Sequence, residues 1–363
     1  MSMLYYDLSA LRADVWNGDL IVNETLLFTP DPVTKATRPC RLLCRPQKLL
    51  RVCSASGLTD YRAGEDYLLE GDRIVPLPGG RMPRFSFEEY FLREPAAISI
   101  RSASCPGRFV RYEPDGLELH RRQVLVSYSH AEVCGVPCPP GQLSRLPQAA
   151  RRLRLKQPLN VLFYGDSFIS GCDASGRSGL APYLPPLDRL TALLLAEAWE
   201  HPAIQVSNTA VGGTTSRWGA EQAQERVAAL LPDLTVVRFG MNDSGAQILP
   251  EAYAQNLRSI IKTGREANPQ MEFLLLSSET PNPDCLGWTG LQRSYEPALR
   301  ALADSLPGCG FLSMGALFDA AARRKGYPSL SANLVNHPND FMIRIYASAI
   351  TQALLDSGCE DMR

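Results

Sequence analysis

From residue 160 onward, short apolar runs that end in small polar residues alternate with stretches of helical periodicity, and this alternation limits the fold more than any other feature of the chain. Such an order is typical of a parallel sheet with helices on both faces. In these sheets a ligand binds at the carboxyl ends of the strands, so functional residues are expected directly after the apolar runs. Strands are predicted at 160–164, 204–208, 234–239, 272–276 and 310–312, and helices at 188–199, 220–230, 252–267, 291–305, 315–324 and 341–355.

The first 150 residues have a different pattern. Short runs rich in β-branched and aromatic residues, such as 49–53, 117–119 and 123–128, are separated by Gly, Pro and Asp. This spacing predicts an all-β, sandwich-like domain over residues 1–150. A segment rich in proline and arginine, 138–157, is interpreted as a linker to a second domain at 158–363.

The charge balance excludes some classes of protein. Lys and Arg number 37 against 38 Asp and Glu, which gives a formal net charge of -1. We therefore expect neither a nucleic-acid partner held by bulk charge nor a polybasic membrane protein. No apolar run approaches the roughly 18 to 20 residues that span a bilayer. The first residues do not follow the pattern of a secretory signal, so a cytoplasmic location is expected.

Ten cysteines are too dilute for a disulfide scaffold. Two close pairs, Cys40 with Cys44 and Cys134 with Cys138, could together supply four zinc ligands. Each pair has three intervening residues rather than the commoner two, and no histidine directly adjoins either pair. Reduced thiols are the favoured interpretation, and no metal is expected.

Four candidate functional residues follow successive apolar runs or precede the last helix. Ser167 lies in Gly165-Asp166-Ser167-Phe168, and Gly213 follows the second strand. Asn242 lies in Gly240-Met241-Asn242-Asp243, and His337 begins the pair His337-Pro338. The chain has no G-x-S-x-G motif, which argues against the common α/β-hydrolase nucleophile turn.

This set of motifs, in this order, resembles the SGNH or GDSL hydrolase superfamily of esterases over residues 159–355. The resemblance implies a flavodoxin-like, three-layer α/β domain without a cofactor. It also implies that Ser167 is the nucleophile and His337 the base. The backbone N–H groups of Ser167 and Gly213 and the side chain of Asn242 would then hold the oxyanion.

The chain departs from the family at the acid of the triad. Members usually have an Asp three residues before the histidine, where this chain has Leu334, and no acid lies between Asp319 and His337. Three substitutes for orienting the ring are considered: a backbone carbonyl of residues 334–336, the Asn333 side chain, and Asp340. A Ser–His dyad held by a carbonyl is the favoured hypothesis.

Other residues near the strand ends are assigned structural roles. Asp166 and Asp243 are interpreted as turn residues, and Arg238 with Glu279 as a structural ion pair. The remaining histidines, His120, His130 and His201, are expected to be packing or surface residues.

A β module before an SGNH domain resembles the layout of esterases that remove acetyl groups from plant polysaccharides. The β module is expected to bind a glycan or to form an oligomer interface. The polar loop 169–183 favours a small acyl group, and Trp288 and Trp218 are candidates for stacking on a sugar. The expected substrate is a small-molecule or oligosaccharide ester. Whether the chain forms a homo-oligomer is left open. The alternatives are a lipase or thioesterase for longer acyl chains and a non-catalytic glycan-binding protein with a degenerate site.

Overall fold

The computed structural model describes residues 11–12, 15–16, 18–114 and 116–356. Small antiparallel sheets make up the N-terminal part: three strands in the order β1-β8-β3, three in the order β2-β5-β4, and the pair β6-β7. Their bounds are Leu20–Leu26 (β1), Cys40–Arg41 (β2), Pro46–Ser54 (β3), Tyr67–Glu70 (β4), Arg73–Pro76 (β5), Phe91–Leu92 (β6), Phe109–Val110 (β7) and Val124–His130 (β8). The prediction of a β module before the α/β part is confirmed, and its sheets are antiparallel. A sandwich arrangement of these sheets stays a prediction.

Three helices of the first 160 residues were not predicted. The helices α1 (Phe87–Tyr90) and α2 (Leu117–Arg122) lie between strands of the module, and α3 (Pro147–Arg154) lies inside the expected linker. The prediction of a strand at 117–119 was therefore wrong. Helix α3 begins at Pro147, which is well tolerated in the first turn, and it buries Ala149, Ala150 and Leu153. The basic segment is thus a packed amphipathic helix.

The C-terminal part is built on one parallel sheet of five strands. Its strands are Leu159–Gly165 (β9), Ile204–Asn208 (β10), Leu234–Arg238 (β11), Glu272–Leu276 (β12) and Cys309–Leu312 (β13), in the order β10-β9-β11-β12-β13. This is the flavodoxin-like order, so the predicted α/β class is confirmed. The helices are Leu187–Ala198 (α4), Ser216–Arg226 (α5), Met241–Gly245 (α6), Pro250–Ala267 (α7), Gln292–Ser305 (α8), Met314–Lys325 (α9) and Asp340–Ala353 (α10).

Alternate side chains of the parallel strands pack into two apolar clusters, one on each face of the sheet. On one face Leu162 and Tyr164 of β9 meet residues of α5, α7 and α8. On the other face Val161 and Phe163 meet residues of α3, α4, α9 and α10. Burial of both faces explains why these strands read as continuous apolar runs. The result is a helix–sheet–helix sandwich.

Helix α10 joins the two parts of the molecule. Every residue of α10 except Ser348 is buried, and Arg344 donates hydrogen bonds to the carbonyl oxygens of Val22 and Leu11 in the N-terminal part. The apolar cluster that contains α10 also contains Val126 and Tyr128 of β8. The β module and the α/β part therefore share one core, which fixes the module against the second layer of helices.

The expectation of reduced thiols fails at one pair, because Cys44 and Cys134 form a disulfide. Cys40, Cys53, Cys105, Cys172, Cys285 and Cys309 are free thiols. Within the described part of the chain, no helix has the length and apolar character needed to cross a membrane.

Candidate active site

Ser167 lies in the turn that follows β9, at the carboxyl end of the second strand in the order of the parallel sheet, between β10 and β11. Its Oγ is 2.8 Å from Nε2 of His337, although the two residues are 170 positions apart in the chain. The serine is 8% exposed and the histidine side chain 12%, so both reach the surface only at one edge. The fold brings together the hydroxyl and the imidazole that the motifs predicted to meet.

The loop before α10 fixes the position of His337. The Ala332 N–H and the Ser331 hydroxyl both donate to the His337 carbonyl oxygen, at 3.0 Å each. The Asn333 Oδ1 accepts hydrogen bonds from three successive backbone N–H groups, those of residues 335, 336 and 337. Asn333 therefore shapes the loop through the backbone instead of contacting the ring.

The other ring nitrogen of His337 has a carboxylate partner, Asp173. The distance from Nδ1 to Asp173 Oδ2 is 2.6 Å, and the Asp173 side chain is 4% exposed. An acid in this position holds the imidazole in the tautomer that accepts a proton at Nε2, and it stabilises the imidazolium that then forms. Ser167, His337 and Asp173 thus form a continuous chain of hydrogen bonds.

None of the three predicted orienting groups contacts the ring in this way. The Leu334 carbonyl oxygen accepts from the Asn282 side chain at 2.7 Å. Asp340 begins α10, and its Oδ1 accepts from the Ser175 N–H at 3.0 Å. The ring nitrogen that was expected to face a backbone carbonyl faces Asp173 instead, so Ser167, His337 and Asp173 are arranged as the residues of a serine-hydrolase triad are.

Sequence reasoning missed Asp173 because it searched for the acid only near the histidine. Asp173 lies six residues after Ser167 and 164 before His337, at a backbone φ of +63° that few residues other than glycine adopt. Asp173 is the single acidic residue of the loop 169–183, and this was the signal by which the sequence could have pointed to it. Strained backbone at such a position is typical of functional sites.

The N-terminal part reaches the acid through His120 of α2. The His120 ring lies in the interior, and its Nε2 is 2.6 Å from the Asp173 carbonyl oxygen. At the start of the same helix, a Cβ added to Gly116 would lie 2.8 Å from the Ala332 carbonyl oxygen, so the helix packs closely on the loop that carries His337. The β module therefore supports both loops of the triad.

The predicted oxyanion donors lie around the same turn. The backbone N–H groups of Ser167 and Gly213 have no acceptor among the described residues. Gly213 has a φ of +78°, and a Cβ added there would meet open space, while one added to Gly212 would be 3.6 Å from Ser167 Cβ. The Asn242 Nδ2 donates to the Thr214 carbonyl at 2.9 Å, which leaves its second hydrogen available.

Next to the turn that carries Ser167 lies a buried ion-pair network. The Arg238 guanidinium is 2.5 Å from Asp166 Oδ1 and 2.6 Å from Glu279 Oε2, and all three side chains are at most 1% exposed. Burial opposes the charge on Arg238, but the two carboxylates overcome this effect and raise its pKa. Asp166 also accepts the Phe168 N–H at 3.2 Å. The network ties the nucleophile turn to β11 and to the end of β12.

Asp243 organises the turn after β11. It accepts hydrogen bonds from the backbone N–H groups of Ser216 and Gly240, and burial raises the pKa of its carboxyl. Because Ser216 begins α5 just after Gly213, this carboxylate links the turn that carries Asn242 to the predicted oxyanion glycine. Asp243 acts in this structure as a connector of loops.

The two candidate tryptophans lie in different surroundings. Trp218 of α5 packs with its ring centroid 6.3 Å from that of Tyr164 and lies under the Arg226 guanidinium. Trp288 is half-buried against a cluster that includes Leu334 and Val335 of the histidine loop. Trp288 is therefore the tryptophan that adjoins the loop of His337.

Residues 163–342 match the model of the GDSL-like lipase/acylhydrolase family. The chain contains a GDSL-like hydrolase domain. The matched segment includes Ser167, Asp173, Gly213, Asn242 and His337, and the domain is that of a carboxylic ester hydrolase. A search of curated proteins gives no match for the chain.

Several solved structures are similar to this GDSL-like hydrolase. A protein described as a GDSL-like lipase from Parabacteroides merdae is 20% identical over 53% of this chain and 94% of its own, with a TM-score of 0.44. A two-domain esterase active on acetylated mannans is 21% identical over 61% of this chain and 55% of its own, at 0.46. An acetylxylan esterase from Geobacillus stearothermophilus is 20% identical over 55% of this chain and 95% of its own, at 0.45.

Proposed function

We propose that this GDSL-like hydrolase is a serine esterase that cleaves short acyl esters, acetyl esters above all, from carbohydrates. The observation that carries the proposal is the chain of hydrogen bonds from Ser167 through His337 to Asp173, at 2.8 and 2.6 Å. Such a chain is the arrangement that activates a serine hydroxyl for acyl transfer.

The groups divide the reaction into two steps. Ser167 Oγ attacks the ester carbonyl while His337 Nε2 takes its proton, and the same proton then passes to the departing alcohol. Water, deprotonated by His337, next attacks the acyl-enzyme and releases the acid and the free serine. The N–H groups of Ser167 and Gly213 and the Asn242 amide would stabilise the oxyanion of both intermediates, at about 3 to 4 kcal/mol per donor.

The acyl group and the alcohol of the proposed substrate are inferred from the residues that border the site. The loop 169–183 carries serines, glycines, Asp173 and Arg177, with few apolar side chains. A lipase for long chains needs an extended apolar surface, which this loop does not offer. Trp288, beside the histidine loop, offers a ring face on which a sugar can stack.

The primary experiment compares hydrolysis of 4-nitrophenyl acetate by the wild type, Ser167→Ala and Ser178→Ala. Ser178 lies in the same loop and is the matched control, which should retain activity. Ser167→Ala should lose about 10⁶-fold in kcat, as in other serine hydrolases. A fluorophosphonate should label the wild type on the peptide that contains Ser167, with loss of fluoride. Equal hydrolysis by the Ser167 and Ser178 variants would refute the assignment.

The substrate class is tested by an acyl series from two to twelve carbons and by acetate release from acetylated xylo- and manno-oligosaccharides. Maximal kcat/KM at two carbons, with acetate release from the oligosaccharides, is expected. A maximum at eight carbons or more would favour a lipase or thioesterase. Glycan binding without turnover of any ester would favour the non-catalytic alternative. That alternative was motivated by the lack of an acid near His337 in the sequence, and Asp173 supplies a carboxylate partner for the ring.

A further inference from the structure

Three potential metal ligands meet inside the β module, outside the candidate active site. They are the sulfurs of Cys44 and Cys134 and a ring nitrogen of His130, all within 4.8 Å of one another and all buried. The sheet explains why they meet, since β3 and β8 are antiparallel and Pro46 pairs with His130. The turn before β3 and the chain after β8 therefore leave the sheet at the same end.

The His130 ring has one engaged and one unengaged nitrogen. Its Nδ1 is 2.8 Å from the Glu132 carbonyl oxygen, so Nδ1 carries the hydrogen and donates it. Nε2 is left as a lone-pair acceptor, and it has no hydrogen-bond partner within the described part of the chain although the residue is only 2% exposed. A buried polar atom without a partner is costly and calls for a ligand.

This tautomer is the one that histidine adopts as a metal ligand. Metal-binding imidazoles usually donate the second N–H to a carboxylate or a backbone carbonyl, which fixes the ring and leaves the other nitrogen for the ion. Two cysteine sulfurs and one imidazole nitrogen are a typical zinc set. The Cα atoms of Cys44 and Cys134 are 5.8 Å apart. Zn–S bonds of about 2.3 Å hold two sulfurs roughly 3.8 Å from each other, a separation that side-chain rotation can reach.

We propose that the reduced form of this chain binds a zinc ion through Cys44 Sγ, Cys134 Sγ and His130 Nε2. In the disulfide form the same two cysteines are joined covalently. A dithiol reductant supplies two electrons and two protons to the disulfide and is itself oxidised to a disulfide. Zinc then displaces both thiol protons as it binds the two thiolates.

The two states would hold the same parts of the module together. The disulfide and the zinc ion each join the turn before β3 to the segment after β8, and Cys44 N–H additionally donates to the Tyr128 hydroxyl at 3.1 Å. The cross-link would therefore persist whether the surroundings are oxidising or reducing. This inference is independent of the esterase proposal.

The test is a metal titration of the full chain after reduction with a phosphine and its removal without oxygen. Cobalt(II) serves as the optical probe, because thiolate ligands give charge-transfer bands and tetrahedral sites give intense visible bands; zinc is added second to displace it. One cobalt per chain, displaced by zinc, is expected for the reduced protein, and none for the oxidised protein. Reduced protein without a cobalt–thiolate band would overturn the proposal, as would equal binding by the oxidised form.

Variants locate the site. Cys44→Ser and Cys134→Ser should each abolish the thiolate band, and His130→Gln should weaken cobalt and zinc binding and shift the visible bands. Cys105→Ser, a half-exposed cysteine outside the cluster, is the matched control and should bind as the wild type does. Far-UV circular dichroism confirms that each variant is folded. Wild-type bands in folded Cys44→Ser, or loss of the bands in Cys105→Ser alone, would place the metal elsewhere and overturn the assignment.

Discussion

Asp166 and Asp173 lie on the same loop, one on each side of the nucleophile, yet their surroundings differ. Asp166 is fully buried and pairs with Arg238, which also pairs with Glu279. Asp173 is at the edge of the interior, paired with His337, and held at its backbone by His120. Asp166 faces a permanent cation, whereas Asp173 faces an imidazole, which in the proposed reaction gains a charge when it takes the proton of Ser167.

Two carboxylates of one eight-residue segment are therefore expected to serve different purposes. Asp166 should stabilise the fold, and Asp173 should assist the reaction. A carboxylate beside a fixed guanidinium contributes the same interaction throughout the reaction, so its loss should affect folding more than rate. A carboxylate beside the imidazole interacts more strongly once the imidazolium forms, so its loss should affect the transition state.

The largest effect is expected for Asp173→Asn. The amide keeps the size of the side chain but favours the wrong tautomer of His337 and gives no charge to balance the imidazolium. We expect kcat for 4-nitrophenyl acetate to fall by about 10⁴-fold, with KM and the unfolding midpoint nearly unchanged. Steady-state kinetics and urea unfolding measure the two quantities.

The control for this variant is Asp284→Asn, a carboxylate outside the triad that accepts hydrogen bonds from the Ser102 hydroxyl at 3.0 Å and from the Ser104 N–H at 2.6 Å. Its kcat should stay within a few-fold of the wild type. If Asp173→Asn were equally active, His337 would work as a dyad and the triad assigned here would be incorrect.

The second prediction concerns the ion-pair network. Asp166→Asn and Glu279→Gln each leave buried Arg238 with one carboxylate, and breaking such a pair costs about 3 to 5 kcal/mol of unfolding free energy. Activity per folded molecule should change far less than in Asp173→Asn. Urea unfolding, together with active-site titration by a fluorophosphonate, separates the two effects. A large fall in kcat at unchanged stability would give Asp166 a role in the chemistry.

The parallel sheet and the placement of Ser167 at a strand end followed from local pattern, because parallel strands end at a common edge. The flavodoxin-like arrangement and the meeting of Ser167 with His337 followed from the resemblance to the SGNH superfamily. The strands β9 to β13 were predicted within about one residue. Helix α5 begins at Ser216, earlier than the predicted 220, because the Thr215 hydroxyl accepts the Trp218 N–H and caps it. Such caps lie outside the apolar periodicity on which the prediction rested.

Asp173 and His120 could not be assigned from local pattern. The pairing of Asp173 with His337 spans 164 residues and depends on how an irregular loop folds back beneath the ring. The contact from His120 depends on how α2, predicted as a strand, packs on that loop. Long-range contacts between irregular segments leave no periodic trace in a sequence, whereas the strand ends do.

The third prediction treats His120 as a positioning residue. His120→Ala removes the hydrogen bond to the Asp173 carbonyl, a loss of roughly 1 to 3 kcal/mol because the carbonyl oxygen is left buried. We expect kcat to fall about tenfold, with KM retained. His120→Gln, whose amide can donate, should recover part of the loss. A purely structural role would lower the unfolding midpoint of both variants without a change in kcat per titrated active site.

The smallest effect is expected for Asp340→Asn. Asp340 lies only three residues from His337 in the sequence, whereas the acid that contacts the His337 ring is Asp173. Its Oδ1 accepts the Ser175 N–H, and its Oδ2 has no partner within the described residues. The amide oxygen of asparagine can keep the first contact, and the lost charge at the start of α10 is worth about 0.3 to 1 kcal/mol. We therefore expect a small drop in the urea midpoint and an unchanged kcat. A drop in kcat like that of Asp173→Asn would show that Asp340, which is close to His337 in sequence, takes part in the reaction although it does not contact Nδ1.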